Sequence, residues 1–187
     1  MAQGKLIVIS APSGSGKTTI AREIMKRNPG LGFSVSATTR KRRDTEIDGR
    51  DYFFLTDEEF RRRVAAGEFV EWEEMYGNLY GTLKTEIDRA ISNGQHLVFD
   101  VDVKGGRSIK ELYTDALLIF ICPPSLDTLK QRLTGRRTED EAALARRLDR
   151  VPMEMEMGKG FDITVVNDDL ERATAEVDRI VKHHVHS

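Results

Sequence analysis

Residues 5–18 read Lys5-Leu6-Ile7-Val8-Ile9-Ser10-Ala11-Pro12-Ser13-Gly14-Ser15-Gly16-Lys17-Thr18, and this stretch decides the fold. Its first half, 5–11, is a short apolar run with β-branched residues, the signature of a strand buried on both faces. Its second half matches the phosphate-cradling P-loop pattern G-x-x-x-x-G-K-[ST] everywhere except the first glycine, where Ala11 stands. Alanine is small enough there at negative φ, whereas a left-handed conformation would cost ~1–2 kcal/mol. Gly14 and Gly16 let the backbone wrap closely around phosphate oxygens, and successive N–H groups with a helix N-terminus supply partial positive charge. In such a loop Lys17 reaches the β- and γ-phosphates and the Thr18 hydroxyl can bind Mg²⁺. A helix from about Lys17 to Asn28, stopped by Pro29-Gly30, completes the strand–loop–helix context. The ordinary alternative is a glycine-rich turn that binds nothing.

Outward from this unit, apolar runs predict strands at 33–38, 95–101, 116–122 and 161–166 in addition to 5–11. They alternate with helical segments, which is the pattern of an open parallel sheet covered on both faces. Thr56-Asp57-Glu58-Glu59 is a capping box opening a helix that ends at Gly67. Further helices are expected over Thr82–Asn93, Lys104–Leu112, from Ser125, from the capping box at Thr138–Glu141 to about Pro152, and over Asp168–His184. Pro152 should bend or end its helix. Shorter strands at Asp51–Leu55 and Phe69–Tyr76, with a tight turn at Gly77-Asn78, interrupt the alternation and predict a small lobe on the sheet's edge.

Composition narrows the function. The 187 residues suit one domain with room for a small lobe, and can bury a core without disulfides. Basic residues number 29 and acidic residues 31, a net charge of −2, which argues against a nucleic-acid coat or a basic membrane binder. The bases are 19 Arg and 10 Lys, a bias towards the residue that grips phosphate bidentately. One cysteine, Cys122, excludes an internal disulfide and a cysteine zinc site, and reads as a buried strand residue. The apolar run Leu6–Ile9 is too short for a signal segment or a membrane span, so a cytoplasmic setting is expected. Neither an internal repeat nor a low-complexity stretch is present.

A second signal for nucleotide chemistry is Leu97-Val98-Phe99-Asp100-Val101-Asp102. An acid ending a buried strand resembles Walker B, which orders Mg²⁺ directly or, as expected for Asp100, through water. The remaining segments are Phe33-Ser34-Val35-Ser36-Ala37-Thr38-Thr39-Arg40, Arg43, Gly49-Arg50-Asp51-Tyr52, Phe69-Val70-Glu71-Trp72, Gly77-Asn78-Leu79-Tyr80-Gly81-Thr82 and Val165-Val166-Asn167-Asp168-Asp169-Leu170. Taken singly, each has an ordinary reading: a solvated basic loop at Arg40–Arg43, lobe packing for Tyr52 and Tyr80, a surface strand position for Glu71. Taken together and in this order, they resemble the guanylate kinase family over nearly the whole chain.

The resemblance implies a P-loop NTPase three-layer α/β sandwich with a five-stranded parallel sheet, core 1–38, 83–125 and 158–187, a small mixed-β GMP-binding lobe at 39–82, and a helical lid at about 126–157. It implies ATP bound by Ser13, Gly14, Ser15, Gly16, Lys17, Thr18 and Thr19, with Asn167 and Asp168 near the adenine, although helix N-capping is the alternative for those two. Arg40, Arg43, Tyr52 and Tyr80 would hold the GMP phosphate. Ser36, Glu71, Thr82 and Asp102 would read guanine, whose adjacent N1–H and N2–H₂ donors suit a carboxylate and whose O6 suits a hydroxyl. Relatives often carry Ser where this chain has Thr82, so the hydroxyl is kept. The lid would supply Arg136 and Arg147 with Lys17 as catalytic cations, with Arg132 a further candidate, and Mg²⁺ would lie at Thr18 and Asp100. Arg137, where many relatives have glycine, leaves open which of the adjacent pair points inward.

The implied reaction is ATP + GMP → ADP + GDP, with small-molecule partners, no nucleic acid and no membrane; a homo-oligomer is possible and not legible. Two rivals stand beside it: a non-catalytic phosphopeptide-binding module, against which Gly16-Lys17-Thr18 is intact, and a kinase with another acceptor, against which Ser36, Glu71 and Thr82 argue. Trp72 reads as lobe packing, Met153, Met155 and Met157 as gap-fillers, Arg61–Arg63 as a solvated face, and His183, His184 and His186 as a frayed tail.

Overall fold

In the computed structural model, which describes residues 3–75, 77–134 and 141–187 (for 141–144 the backbone only), strand β1 (Leu6–Ser10) is buried at all five positions. After it come, in chain order, α1 (Lys17–Arg27), β2 (Leu31–Phe33), β3 (Ala37–Thr38), β4 (Phe53–Phe54), α2 (Asp57–Ala65), β5 (Phe69–Met75), β6 (Asn78–Leu83) and α3 (Lys84–Ser92). The second half holds β7 (His96–Asp100), α4 (Val103–Leu112), β8 (Leu117–Cys122), α5 (Leu126–Thr134), α6 (Glu141–Gly158), β9 (Ile163–Val166) and α7 (Leu170–His186).

The main sheet has the order β2-β7-β1-β8-β9, and every pair in it is parallel. Side chains alternate across a strand, so β1 feeds two cores. Ile7 and Ile9 pack with Ile20 and Ile24 of α1 and Val177 and Val181 of α7. Leu6 and Val8 face the other way, to Ile87 of α3, Ile109 of α4, Phe120 and Phe161. This three-layer α/β arrangement is the expected fold class, and it explains why the strands read as continuous apolar runs.

The second sheet runs β4-β3-β6-β5, with β3 and β4 parallel and the other pairs antiparallel. Beneath it Phe60 of α2, fully buried, stacks on Phe69 of β5 with ring centroids 4.3 Å apart. The Thr56 side chain caps α2 by accepting the Glu59 N–H, as its motif predicts.

Several expectations need correction. The strand expected at 33–38 is two: β2 belongs to the main sheet, Ser34 N still bonds Val98 O at 2.9 Å, and the chain then crosses to β3 of the second sheet. Thr82 lies in β6, not at a helix start; its Cα partner is Glu71 of β5, and α3 begins two residues later. Helix α6 runs through Pro152 to Gly158. The proline deletes one backbone donor, but Val151 packs on Leu129 and Leu133 while Met153, Met155 and Met157 pack on the sheet core, so burial on both sides of it carries the helix onward. The histidines expected in a frayed tail lie in α7, where the His184 carbonyl accepts from Lys5 Nζ at 2.8 Å. Trp72 is 46% exposed on the edge strand β5, not packed in the lobe. Among the described residues no helix is long and apolar enough to cross a membrane.

Candidate active site

The loop between β1 and α1 leaves the carboxyl end of the central strand, where open α/β sheets place their ligand crevice. Gly14 and Gly16 adopt φ of +90° and +88°, values that L side chains rarely reach. Both also have no room to grow: a Cβ would come within 2.8 Å of Leu133 at Gly14, and within 2.5 Å of Asn167 Nδ2 at Gly16. The buried Asn167 amide donates to Ser15 O at 2.8 Å, and Arg132 Nη2 donates to Asn167 O at 3.1 Å. The loop is thus clamped from beneath by β9 and α5.

At the end of β7, Asp100 meets the loop. Lys17 Nζ lies 2.5 Å from Asp100 Oδ1 and donates to Val101 O at 3.0 Å, and Thr18 Oγ1 donates to Asp100 Oδ2 at 3.1 Å. The hydroxyl–carboxylate pair is a hard-oxygen set of the kind that suits Mg²⁺, which takes few protein ligands and completes its shell with phosphate oxygens and water. No cluster of three or more His, Cys, Asp or Glu able to hold a metal is found among the described residues, and a site of that sparse type needs none.

One cleft of about 820 Å³ joins the loop to the second sheet. Ser13, Gly14, Gly16, Lys17, Thr18 and Thr19 line one end, and Ser36, Tyr52, Glu71, Tyr80 and Asp102 the other. Thr82, nearly fully buried, stands behind Glu71 and donates to its Oε1 at 2.6 Å. Burial pushes the Glu71 carboxyl up to about 7, and the neighbouring charges of Asp102 and Glu73 add to this while the Thr82 bond opposes it. Asp102 Oδ1 caps α4 through Gly105 N at 2.8 Å, and its Oδ2 meets Arg150 Nη2 at 3.0 Å.

Arg40 sits at the mouth of this end, its guanidinium 5.3 Å from the Tyr52 ring centroid and 2.6 Å from Glu46 Oε1. The rings of Tyr52 and Tyr80 meet edge to face with centroids 6.3 Å apart. Arg43 is on the exposed part of the same loop and donates its backbone N–H to Glu46 Oε2 at 2.8 Å. The Arg40 guanidinium holds the Glu46 carboxyl below its usual range.

Arg147 Nη1 donates to Ser13 Oγ at 3.3 Å and lines the cleft. Arg136 and Arg137 lie outside the described residues. Asp168 pairs with Arg172, and the N-cap of α7 is Asp169, so Asn167 and Asp168 do not cap that helix; Asn167 instead braces the P-loop. Arg61, Arg62 and Arg63 pair with Asp57 and Glu59, as a solvated face should.

The sequence reasoning missed Glu46, Glu73, Arg150 and Glu154. Arg150 and Glu154 follow Arg147 at helical spacings of three and seven, which was a usable signal. Glu46 lies three residues beyond Arg43 in a loop that also carries Asp44 and Asp48, so the sequence does not say which of its acids pairs with Arg40.

Comparison with known proteins agrees with this geometry. The family model described as guanylate kinase matches residues 3–184. Guanylate kinase of Symbiobacterium thermophilum is 46% identical over 179 residues, covering 96% of this chain and 85% of that protein. Guanylate kinase of Bacteroides thetaiotaomicron is 49% identical over 181 residues, covering 96% and 89%. The crystal structure of guanylate kinase from Anaplasma phagocytophilum aligns with a TM-score of 0.75 at 27% identity, covering 100% of this chain and 89% of that one. A P-loop and a carboxylate–hydroxyl pair sharing one cleft, in a chain matched almost end to end, place this protein in the guanylate kinase family.

Proposed function

We propose that this chain transfers the γ-phosphoryl group of ATP to GMP, giving ADP and GDP. The observation that carries the reading is one cleft lined by the P-loop and by Glu71, which Thr82 backs with a hydrogen bond. A phosphate oxygen of GMP attacks the γ-phosphorus, the bond to the β,γ-bridging oxygen breaks, and ADP leaves with that electron pair. Such a transfer needs in-line positioning and positive charge on the equatorial oxygens rather than covalent help.

Lys17, Arg147 and, by family resemblance, Arg136 supply that charge. The backbone of Ser13–Thr19 cradles the ATP phosphates, with Asn167 acting through Ser15 O and Asp168 beside it near the adenine. Arg40, Arg43, Tyr52 and Tyr80 hold the GMP phosphate, and Glu46 fixes Arg40 beside Tyr52. Glu71 accepts the adjacent guanine donors, while Ser36, Thr82 and Asp102 complete the reading of the base. Adenine offers no N1–H, so it would leave a costly unpaired carboxylate. Thr18 and Asp100 would hold Mg²⁺, which when bound offsets phosphate charge. In this reading residues 39–82 form the acceptor lobe, about 126–157 carry the lid arginines, and 1–38, 83–125 and 158–187 form the core.

The test is ADP release with GMP, AMP, UMP, dTMP and no acceptor. GMP alone should support rapid turnover. No turnover with any acceptor would favour a binding module, and preference for another acceptor would overturn the guanine argument.

A further inference from the structure

Among the described side chains of α6, Arg147, Arg150 and Glu154 face the cleft at spacings of three and four, one helical stripe. The Arg150 guanidinium reaches two carboxylates with different nitrogens, Nη2 to Asp102 Oδ2 at 3.0 Å and Nε to Glu154 Oε1 at 3.4 Å. Glu154 is only 5% exposed, and its Oε2 has no hydrogen-bond partner among the described residues. Asp102 is therefore held on both oxygens, by the first turn of α4 on one side and by Arg150 on the other.

We propose that Arg150 is a positioning residue for the acceptor base: it orients the Asp102 carboxylate towards guanine and ties it to the buried Glu154 of α6. The inference rests on the reading of Asp102 as a base contact. Asp102 lies among like charges, since its own charge acts on Glu71, Glu73 and Glu154. Without a counter-ion a carboxylate there is repelled from the place where it is needed. A fully solvated ion pair would contribute little, but this one links an Arg to partners whose side chains are only 22% and 7% exposed. A planar fork can grip both at once, and a lysine point charge cannot. The same helix contacts the P-loop through Arg147 and Asp102 through Arg150, so one element reaches both ends of the cleft.

The test uses the full chain and four variants: Arg150→Gln, Arg150→Lys, Asp102→Asn and the Asp102→Asn/Arg150→Gln double. Steady-state kinetics give KM for GMP, KM for ATP, kcat and the GMP-over-AMP ratio of kcat/KM. Arg150→Gln should raise KM for GMP about tenfold and lower the GMP preference, with KM for ATP moving by less than about twofold. The double variant should be no worse than Asp102→Asn alone, because both changes remove one interaction. Arg150→Lys should recover only part of the affinity.

If Asp102→Asn weakens GMP but Arg150→Gln does not, or if the two effects multiply, the positioning role is overturned and the base reading stands. A loss of thermal stability with GMP kinetics unchanged overturns it as well, as does full recovery in Arg150→Lys. If Asp102→Asn leaves GMP kinetics intact, the base reading falls and takes this inference with it.

Discussion

If Glu71 reads guanine as proposed, GMP binding depends on pH in a definite direction. The Glu71 carboxyl is pushed up to about 7, first by burial and then by Asp102 and Glu73. Only the ionised form presents two acceptors to the guanine donors. Apparent Kd for GMP should then scale as 1 + 10^(pKa − pH), a factor near one at about pH 8 and about eleven at about pH 6. Binding should therefore weaken roughly tenfold across that interval. The GMP phosphate itself takes up a proton near about pH 6, so Glu71→Gln, which keeps that titration, is the reference. The variant should bind about 100-fold more weakly at the upper pH, losing a charged acceptor and turning a donor towards donors. Its profile should lack the limb near 7.

Stability of the ligand-free chain gives an independent reading with the opposite sense. A carboxyl whose folded pKa is raised favours folding fully below its unfolded value of 4.5, and that contribution is lost as pH rises through about 7. Glu71→Gln should thus raise Tm at about pH 8 and change it little at about pH 4. The assay is calorimetric titration of GMP into both proteins across pH, with thermal melts alongside. Identical pH profiles for wild type and Glu71→Gln would refute the assignment of Glu71 as the base reader.

Other outcomes follow from the same geometry. Thr82→Val keeps the shape but deletes the 2.6 Å donor to Glu71; KM for GMP should rise about tenfold while Thr82→Ser stays near wild type, and equal kinetics in Thr82→Val would remove Thr82 from the site. Lys17→Ala should lower kcat by about 10²–10³ with KM for GMP little changed, and a change confined to KM would place Lys17 in ground-state binding only. Gly16→Ala must hold φ near +88° and meets Asn167 Nδ2 at 2.5 Å; the backbone term alone is ~1–2 kcal/mol, so Tm should fall by about 2–8 °C and ATP binding should weaken, and an unchanged melt would contradict the P-loop geometry.

The core was legible because β1, β7 and β8 are buried on both faces, which writes the strand directly into the sequence as an apolar run. The P-loop was legible because its glycines answer a backbone demand rather than a packing one. The passage from β2 to β3 was not, since alternation continues across Ser34–Ser36 and does not say which sheet receives each half. Nor was the end of β6 at Leu83: α3 has no side-chain cap there, and Thr82, which looked like a helix start, turns inward to Glu71. Pro152 misled for a physical reason, as a single missing donor is outweighed when the turns on either side are packed.

In the site, the P-loop residues other than Ser15 line one cleft with Ser36, Tyr52, Glu71, Tyr80 and Asp102, while Arg40, Arg43, Thr82, Asn167 and Asp168 do not line it, and residues set by tertiary approach stayed hidden. Arg150 reaches Asp102 only because α6 packs beside the end of β7 and the start of α4, and no spacing in the sequence announces that approach. Glu46 matters because its loop folds back to put it on Arg40.

The most direct measurement follows the transferred group itself. ATP labelled in the γ-phosphoryl position is incubated with the protein, Mg²⁺ and either GMP or AMP, and the labelled products are separated. The account predicts label in GDP when GMP is supplied, with little in inorganic phosphate and little in ADP when AMP replaces GMP. Label released chiefly as inorganic phosphate, or passed to AMP as readily as to GMP, would contradict it.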